Sequence, residues 1–428
     1  MSQQKKQWGA IIVMIALFAM IAFVTNLCTP MATIIKNQGD ISNVLAQIGN
    51  YGNFVAYLVM GIPAGMLISK FGYKKTALIG LAVGILGILI QWCSGKMEGS
   101  YSLGAIFAVY LVGAFIAGLC MCILNCVVNP MLNILGGGGN RGNQLIQLGG
   151  VFNSSAAVAC YILMGALIAD VTRSKIADVE IALCIALAIF VVAFVVICFT
   201  KIEEPAQAPV QLSLIKGAMS YRHFALGALG IFLYMGIEVG TPNFVQQYLT
   251  NERGMPGNTV GLIVAVYWFM MLIGRLAGAS IGGKISARAM ITTVSIATMA
   301  LVLFGMFAPS DVMVNFPGID WGSLTVIWAE IPVGIFAFLL VGLCTSVMWG
   351  AIFNMAVEGL GKYTAIASGI FMTMVFGCAV MMFIQAAVAD AVGYINSYWV
   401  VVACAAYLLF YALVGSRVSK RADAEKND

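Results

Sequence analysis

The chain has very little charge. Only 9% of its 428 residues are Asp, Glu, Lys or Arg, whereas 61% are hydrophobic, and the mean hydropathy is +0.98. A soluble globular domain carries about a quarter charged residues, so this chain could not cover a water-facing surface. The scarcity of charge therefore excludes a soluble protein and indicates an integral membrane protein. The net charge of +5 gives no reason to expect a nucleic-acid partner.

Histidine is almost absent, and cysteine is absent from the predicted loops. The one histidine, His223, lies beside Arg222 at a predicted helix end, and no His-Glu-x-x-His motif occurs. We therefore expect no metal site, no cofactor and no enzyme activity. All eleven cysteines fall inside predicted spans. Small buried apolar side chains explain them better than disulfides do.

Long apolar runs dominate what is present. Runs of about 20 apolar residues fit the hydrocarbon core of a bilayer as helices. The first run lacks an Ala-x-Ala cleavage site and is too long for a signal peptide, so we interpret it as an uncleaved span. Hydropathy predicts an all-α membrane protein whose spans lie near 9–34, 43–68, 76–96, 103–131, 145–170, 178–199, 224–249, 258–280, 288–308, 326–357, 364–390 and 396–416.

The chain is predicted to have two halves. Segment 201–223 is polar and contains two prolines, and it separates a six-helix half, 1–200, from a second six-helix half, 224–428. The fourth span ends "NPMLNILG" and the tenth ends "NMAVEGLG", which both fit Asn-x5-Leu-Gly. Parallel repeats of this kind carry a substrate site at their interface. Cytoplasmic termini would place most of the 22 Lys and Arg residues, Arg275 among them, on the inner side, as the positive-inside rule requires.

Several motifs resemble one transporter family. The loop "GMLISKFGYKK" (65–75) resembles the Gly-x-x-x-Asp-Arg-x-Gly-Arg-Lys motif of the major facilitator superfamily, with Ser69 and Lys70 in place of the aspartate and arginine. The segments "TNLCTPM", "LNCVVNPMLNILG", "FLYMGIEVG", "WFMMLIGRLAG" and "MWGAIFNMAVEGLG" resemble the fucose–proton and glucose/galactose symporters of that superfamily. The fucose branch has acids where this chain has Thr29 and Asn125, so the resemblance is nearer to the glucose/galactose branch.

The resemblance implies a fold and a function. It implies twelve transmembrane helices in two pseudo-symmetric halves, in a monomer of the bacterial inner membrane with both termini in the cytoplasm. It also implies uptake of a monosaccharide by alternating access, driven by protons or sodium. Two alternatives stay open. A facilitated sugar uniporter would explain the missing acids, and a drug–proton antiporter fits the many amides less well. A channel would need a polar or charged ring, for which one buried acid is poor material.

One acid lies inside an apolar run. The stretch "FLYMGIEVGTPNF" contains Glu238, and a carboxylate in hydrocarbon costs about 2.5–3.5 kcal/mol on insertion scales. It can face a wet cavity or take up a proton, and we predict that it couples sugar movement to the ion; a structural acid is the alternative. Pro242, one turn further along, should kink this span at a moving gate. The loop residues Lys70, Lys74 and Lys75 are predicted to tune that gate.

Amides and one tryptophan could hold a sugar. A sugar needs polar partners for its hydroxyls and an apolar wall for its faces. For any one amide, a hydrogen bond between helices is an equally good interpretation, and we interpret Asn129, beside Pro130, as structural. The predicted substrate-binding residues are Asn26, Gln47, Asn50, Asn125, Gln147, Asn153, Asn243, Trp268, Asn354 and Gln385.

Overall fold

The computed structural model describes residues 8–39, 48–136, 139–167, 175–202, 213–281, 285–320, 325–360 and 363–418. Within these ranges the backbone is almost entirely helical. Ten described segments are long and apolar enough to cross a membrane; one of them, 44 residues long, holds two spans, and a shorter apolar segment runs from Leu148 to Met164. Together they give the twelve spans that hydropathy predicts, so the chain is a multi-pass membrane protein.

The described part of the first half contains five α-helices. They are α1 (Trp8–Gly39), α2 (Ile48–Lys96), α3 (Leu103–Leu135), α4 (Gly139–Leu167) and α5 (Glu180–Phe199), which follows a 3₁₀ turn (Ile176–Val179). Ser102 begins α3 by accepting a hydrogen bond from the backbone N–H of Ala105. A side-chain oxygen at this position satisfies one of the N–H groups that a helix start leaves without a partner.

Helix α2 holds spans 2 and 3, which meet at a single residue. Gly72 has φ 78° and ψ 175° and interrupts the helix there. Positive φ is open to glycine at little steric cost, so glycine permits the break. The hydroxyl of Thr76 donates to the Gly72 carbonyl at 2.6 Å and holds the first turn of the next span. The loop predicted between residues 68 and 76 is thus much shorter than expected, because helix continues up to the glycine from both sides.

In the second half, the described residues form eight α-helices and one antiparallel pair of strands. The helices are α6 (Leu214–Met219), α7 (Arg222–Gln247), α8 (Gly257–Ile281), α9 (Ala287–Phe307), α10 (Val333–Val357), α11 (Thr364–Met374), α12 (Gly377–Val392) and α13 (Trp399–Phe410). A π-helical turn, Tyr248–Glu252, extends α7, and another, Tyr411–Gly415, extends α13. Helix α6 lies within the predicted polar linker, of which residues 203–212 lie outside the described ranges.

One predicted span is wrong in detail, and another contains a turn. Span 10 was predicted over 326–357, but α10 begins at Val333 after strands β1 (Met313–Asp320) and β2 (Thr325–Pro332), which pair antiparallel. Hydropathy cannot separate the β-branched run "TVIWAEIP" from a helix, whereas Pro332 marks the helix start. Span 11, predicted over 364–390, is confirmed as one apolar segment, Ile366–Val392, in which a short turn separates α11 from α12. There a Cβ on Gly377 would meet the Phe232 backbone, so close packing on α7 accompanies the break.

Among the described residues, helices of the two halves contact each other mainly at two places. Helix α4 packs on α8, and the first span of α2 packs on α11. A Cβ built on Gly61 would lie 2.6 Å from the backbone nitrogen of Thr373, so the absence of a side chain allows this approach. A Cβ on Gly65, one turn further, would meet nothing within 4 Å. Small residues let membrane helices approach closely, and only Gly61 of this pair is used that way.

The outer surface of the bundle is apolar. Ile12, Val192 and Phe199 have 63%, 61% and 85% of their side-chain surface exposed. Contiguous exposed apolar surface of this kind is rare on soluble monomers and is expected of a surface that faces lipid. Polar side chains such as Asn26, Gln246 and Gln385 are instead buried.

Candidate functional site: a polar cavity between the halves

A cavity of about 190 Å³ lies between helices of the two halves. Helices α1, α2, α3 and α4 contribute from the first half, and α7, α8, α10 and α11 contribute from the second. Its polar and aromatic lining consists of Thr25, Asn26, Tyr57, Asn125, Asn129, Asn153, Tyr234, Glu238, Trp268, Arg275, Ser346 and Trp349. Aliphatic residues and Phe18 and Phe54 fill much of the remaining wall. A concave apolar site with a few placed polar groups is the usual form of a small-molecule site.

Glu238 has its partner on another helix. Its Oε1 lies 3.8 Å from Nη2 of Arg275 on α8, and the two side chains are only 12% and 13% exposed. Arg275 was counted among the residues of the inner side and was not selected for the site. Its guanidinium lies in the cavity lining and compensates the acid there. The Tyr267 hydroxyl also donates to the Glu238 backbone carbonyl at 2.9 Å.

The same arginine contacts the first half. Its Nη1 donates to the Gly150 carbonyl on α4 and to Oδ1 of Asn153 at 3.3 Å. Asn153 in turn donates from Nδ2 to the Phe18 carbonyl of α1 at 2.8 Å. A chain of polar contacts therefore runs from α7 through α8 and α4 to α1. Such networks are stable in a low-dielectric interior when their members are satisfied.

Three asparagines of the first half share one arrangement. Asn26 donates from Nδ2 to the Ala22 carbonyl at 2.7 Å, and Asn129 donates to the Asn125 carbonyl at 3.1 Å. Asn125 donates to the Met121 carbonyl at 3.1 Å and to the Tyr57 hydroxyl at 2.9 Å. Each of these bonds uses the amide nitrogen. The amide oxygen therefore keeps the most capacity to accept a hydrogen bond from a ligand hydroxyl.

Aromatic rings form the other wall. Trp268 stacks on Tyr161 with ring centroids 6.3 Å apart and 26° between the planes, and Tyr234 packs against Trp349 at 6.2 Å. The buried indole N–H of Trp268 has no acceptor among the described residues. A buried donor without a partner costs about 1–3 kcal/mol. This leaves a donor beside the cavity that a small shift of the ring would present to a polar ligand.

The structure brings five of the predicted site residues to the cavity. They are Glu238, Asn26, Asn125, Asn153 and Trp268. Gln47 lies outside the described residues, as do the side chains of Asn50 and Gln147.

Three other predicted ligands lie elsewhere. Asn243 is buried and accepts a hydrogen bond from Gln247 Nε2 at 2.6 Å, one turn along α7. Gln385 donates to the Ser397 hydroxyl at 3.4 Å, and Asn354 is exposed outside the lining. The first two serve contacts within or between neighbouring segments, which is the alternative that the sequence left open.

The predicted gating residues lie away from the cavity. Lys74 donates from Nζ to the carbonyls of Cys198 at 3.1 Å and Thr200 at 2.9 Å, at the end of α5. Lys70 and Lys75 are exposed. Pro242 lies within α7 without ending that helix. Whether these residues act on a gate stays a prediction.

Sequence reasoning did not select several lining residues. Arg275 is the main one, with Tyr57, Tyr234 and Ser346, and Asn129 was read as structural. Helical spacing offered a signal for two of them. Tyr234 lies four residues before Glu238, and Arg275 lies seven residues after Trp268, so each shares a helix face with a residue that was selected.

Three comparisons agree with this architecture. The model of the Major Facilitator Superfamily matches residues 11–380. The chain is 26% identical over 425 residues to a glucose/galactose transporter of Brucella abortus biovar 1 (strain 9-941), covering 97% of this chain and 96% of that protein. It is 22% identical over 436 residues to the L-fucose-proton symporter of Escherichia coli (strain K12), covering 94% and 92%.

A solved structure shares the fold. The crystal structure of FucP, a transporter of the same superfamily in its outward conformation, superposes with a TM-score of 0.68 at 20% identity. The match covers 94% of this chain and 97% of that one. The apolar spans, the cavity between the halves and the family match over most of the sequence lead to one conclusion. The chain belongs to the major facilitator superfamily of membrane transporters.

Proposed function

We propose that this protein takes up a hexose across the bacterial inner membrane by alternating access, coupled to a proton or to sodium. The observation that carries the proposal is the cavity itself. It combines asparagine amides, two tryptophans and one buried acid–arginine pair between the two halves.

The chemistry of the lining favours a sugar. Asn26, Asn125 and Asn129 offer acceptors for hydroxyl edges, and Trp268 and Trp349 offer apolar ring surface for C–H faces. The glucose/galactose and fucose–proton relatives support the same class of substrate. A drug–proton antiporter would be expected to show fewer amides at its site. This leaves it the weaker proposal.

Glu238 is the proposed coupling acid. It is the acid in the lining of the described cavity, and ionisable groups inside membrane helices commonly mark ion pathways. A facilitated uniporter is the second candidate, and a specific observation favours it. Arg275 already compensates Glu238, so the pair could be structural and carry no ion across.

The two halves are proposed to move against each other. We take them as 1–200 and 224–428, joined by 201–223, in a monomer with cytoplasmic termini. The cavity lies between helices from both sides of that linker, and the contacts α4–α8 and α2–α11 join the two. Rocking of one repeat against the other about a central site is the usual form of alternating access.

Counterflow in proteoliposomes tests the proposal. Purified protein is reconstituted with unlabelled glucose, galactose, fucose or a non-sugar amine inside, and entry of the labelled compound is followed. Hexose counterflow that saturates with concentration supports a sugar carrier, whereas counterflow of the amine alone contradicts it. Accumulation is then measured with a pH gradient and a sodium gradient imposed separately. Accumulation under one gradient supports coupling, and equilibration under both supports the uniporter.

A further inference from the structure

Arg275 touches both sides of the cavity at once. Its Nη2 faces Glu238 on α7, while its Nη1 donates to the Gly150 carbonyl and to Asn153 on α4. Glu238 and Arg275 follow the 201–223 segment in the chain, and Gly150 and Asn153 precede it. One guanidinium therefore links the proposed coupling acid to the opposite half.

The contact with α4 depends on a glycine. A Cβ built on Gly150 would lie 3.2 Å from Arg275 Nη1 and 3.3 Å from its Cδ. These distances are tighter than ordinary contacts, so an alanine would force the arginine to move by a few tenths of an ångström. The absence of a side chain at Gly150 thus lets the guanidinium reach the backbone of the other half.

Few charged or titratable groups face Glu238 among the described residues. They are Arg275, the hydroxyls of Tyr234 and Tyr267, and the Cys378 thiol. Of these, Arg275 carries a positive charge. A guanidinium does not lose its proton in a protein, so any change in the charge of the pair takes place on Glu238.

Protonation of Glu238 leaves Arg275 without its counter-charge. A buried cation that loses its partner is strongly unfavourable, so the guanidinium must find water or another arrangement. We propose that Arg275 is a positioning residue that transmits the charge state of Glu238 to the contact between α4 and α8. This inference rests on the proposed coupling role of Glu238.

The direction follows from proton linkage. The positive charge of Arg275 favours ionised Glu238, so the arrangement with the ion pair formed binds fewer protons at this acid than one in which the pair is broken and Glu238 stays buried. Raising the pH therefore favours the α4–α8 contact, and lowering the pH through the titration of Glu238 weakens it. Release of the proton would then restore the contact between the halves.

Distance measurements between spin labels test the inference. Labels replace Phe152 on α4 and Leu276 on α8, which are exposed, in a protein freed of its reactive native cysteines and held in nanodiscs. Distances are recorded from about pH 5 to about pH 9. We expect a shorter α4–α8 distance at high pH and a pH-dependent change that Arg275→Gln and Glu238→Gln each abolish. Arg288→Gln, which removes an exposed charge on α9, should leave the change intact.

A second pair of variants keeps the test valid if Arg275→Gln fails to fold. Gly150→Ala retains every charge and only displaces the guanidinium, so it should shift the midpoint of the pH-dependent change. Gly65→Ala adds the same methyl group in open space and should not. A distance that does not respond to pH in the wild type, or that responds equally in Arg275→Gln, overturns the inference.

Sugar counterflow is measured on the same samples without a gradient. Counterflow with no pH-dependent distance rejects the role of Arg275 and keeps the proposed function. The α4–α8 distance could also depend on pH, and lose that dependence in Arg275→Gln, in a protein that shows no hexose counterflow. That result supports the role of Arg275 and rejects hexose as the substrate.

Discussion

At the level of single residues, the burial of the ion pair between Glu238 and Arg275 requires an explanation. Both side chains are largely buried, and removing an ion from water costs several kcal/mol even when it is paired. Hydrophobic residues of similar volume are often as stabilising as a buried ion pair, or more so. Stability alone therefore does not explain the pair. A group whose charge changes during transport does explain it.

Glu238→Gln tests that explanation. The amide imitates the protonated acid permanently, keeps its size and still donates a hydrogen bond. We expect hexose exchange in counterflow to persist, because exchange requires no net release of the proton. Accumulation driven by a pH gradient should fall to the level of passive equilibration, and sugar binding should lose its pH dependence. A sodium-coupled carrier would lose its sodium response, since an amide is a weaker cation ligand.

Glu98→Gln is the matched control. Glu98 pairs with Lys175 at 2.9 Å outside the cavity and raises the pKa of that lysine. The substitution should leave accumulation unchanged. Wild-type accumulation by Glu238→Gln under both gradients would show that Glu238 is structural.

Asn125 and Asn354 were both predicted from the sequence, but the structure places only Asn125 in the cavity. Both were predicted sugar ligands on central spans, but Asn125 lines the cavity and Asn354 is exposed outside it. A hydrogen bond contributes about 0.5–1.5 kcal/mol, which corresponds to roughly two- to tenfold in affinity. Asn125→Ala should weaken hexose binding by that factor, and Asn354→Ala should not change it. Equilibrium binding to the purified variants measures both, and equal losses would contradict the cavity as the sugar site.

At the level of helices, the turn after span 2 is tied to the end of α5. Gly72 allows the break, and Lys74 then reaches the last carbonyls of α5. A cation near a helix C-terminus is stabilised by the carbonyl groups that have no partner inside the helix, by about 0.3–1 kcal/mol. Lys74 therefore joins two helices of the first half by hydrogen bonds, whereas Lys70 and Lys75 are exposed.

Lys74→Gln should slow transport without weakening sugar binding. Removing the cation changes the free-energy difference between the conformations of the transport cycle. The change is at most the contribution of the contact between Lys74 and the end of α5. We expect a change of about two- to fivefold in the maximal rate of counterflow. Lys75→Gln removes a neighbouring exposed lysine and should have little effect. A loss of affinity in equilibrium binding by the folded Lys74 variant would instead implicate the loop in the sugar site.

At the level of the whole molecule, the sequence predicted the spans more reliably than the site. Long apolar runs are read directly from the sequence, so the number of spans follows from them, whereas the family was indicated by the resemblance of several short motifs. The pair of strands β1 and β2 was missed because a paired apolar strand and a buried helix start have the same hydropathy. Arg275 was not selected for the site because counting charges near span ends ignores which helix face they occupy.

The asparagines show a second limit. Asn125 and Asn243 are both amides within apolar spans, and nothing in the local sequence separates them. Only the packing of the helices shows that Asn125 reaches the cavity, whereas Asn243 bonds Gln247. A ligand site formed by many helices depends on their relative rotation, which hydropathy does not determine.

The contact between α2 and α11 provides the last prediction. A Cβ built on Gly369 lies 3.7 Å from the Cα of Ile62, close enough for a disulfide between cysteines at the two positions. If the two halves rock against each other, this contact must open in the course of transport. Cross-linking it should therefore hold the protein in one conformation.

The experiment uses Ile62→Cys with Gly369→Cys. Cys126, whose thiol lies 4.0 Å from the Gly61 carbonyl, is replaced by serine in the same protein. Oxidation should abolish hexose counterflow, and reduction should restore it, because the disulfide prevents the movement without altering the cavity. Each single cysteine, treated with the same oxidant, should stay active. Equilibrium sugar binding by the oxidised protein separates a locked carrier from a damaged one, since a locked carrier still binds from the side to which its cavity opens. Full counterflow by a completely cross-linked sample would show that the halves do not separate at this contact.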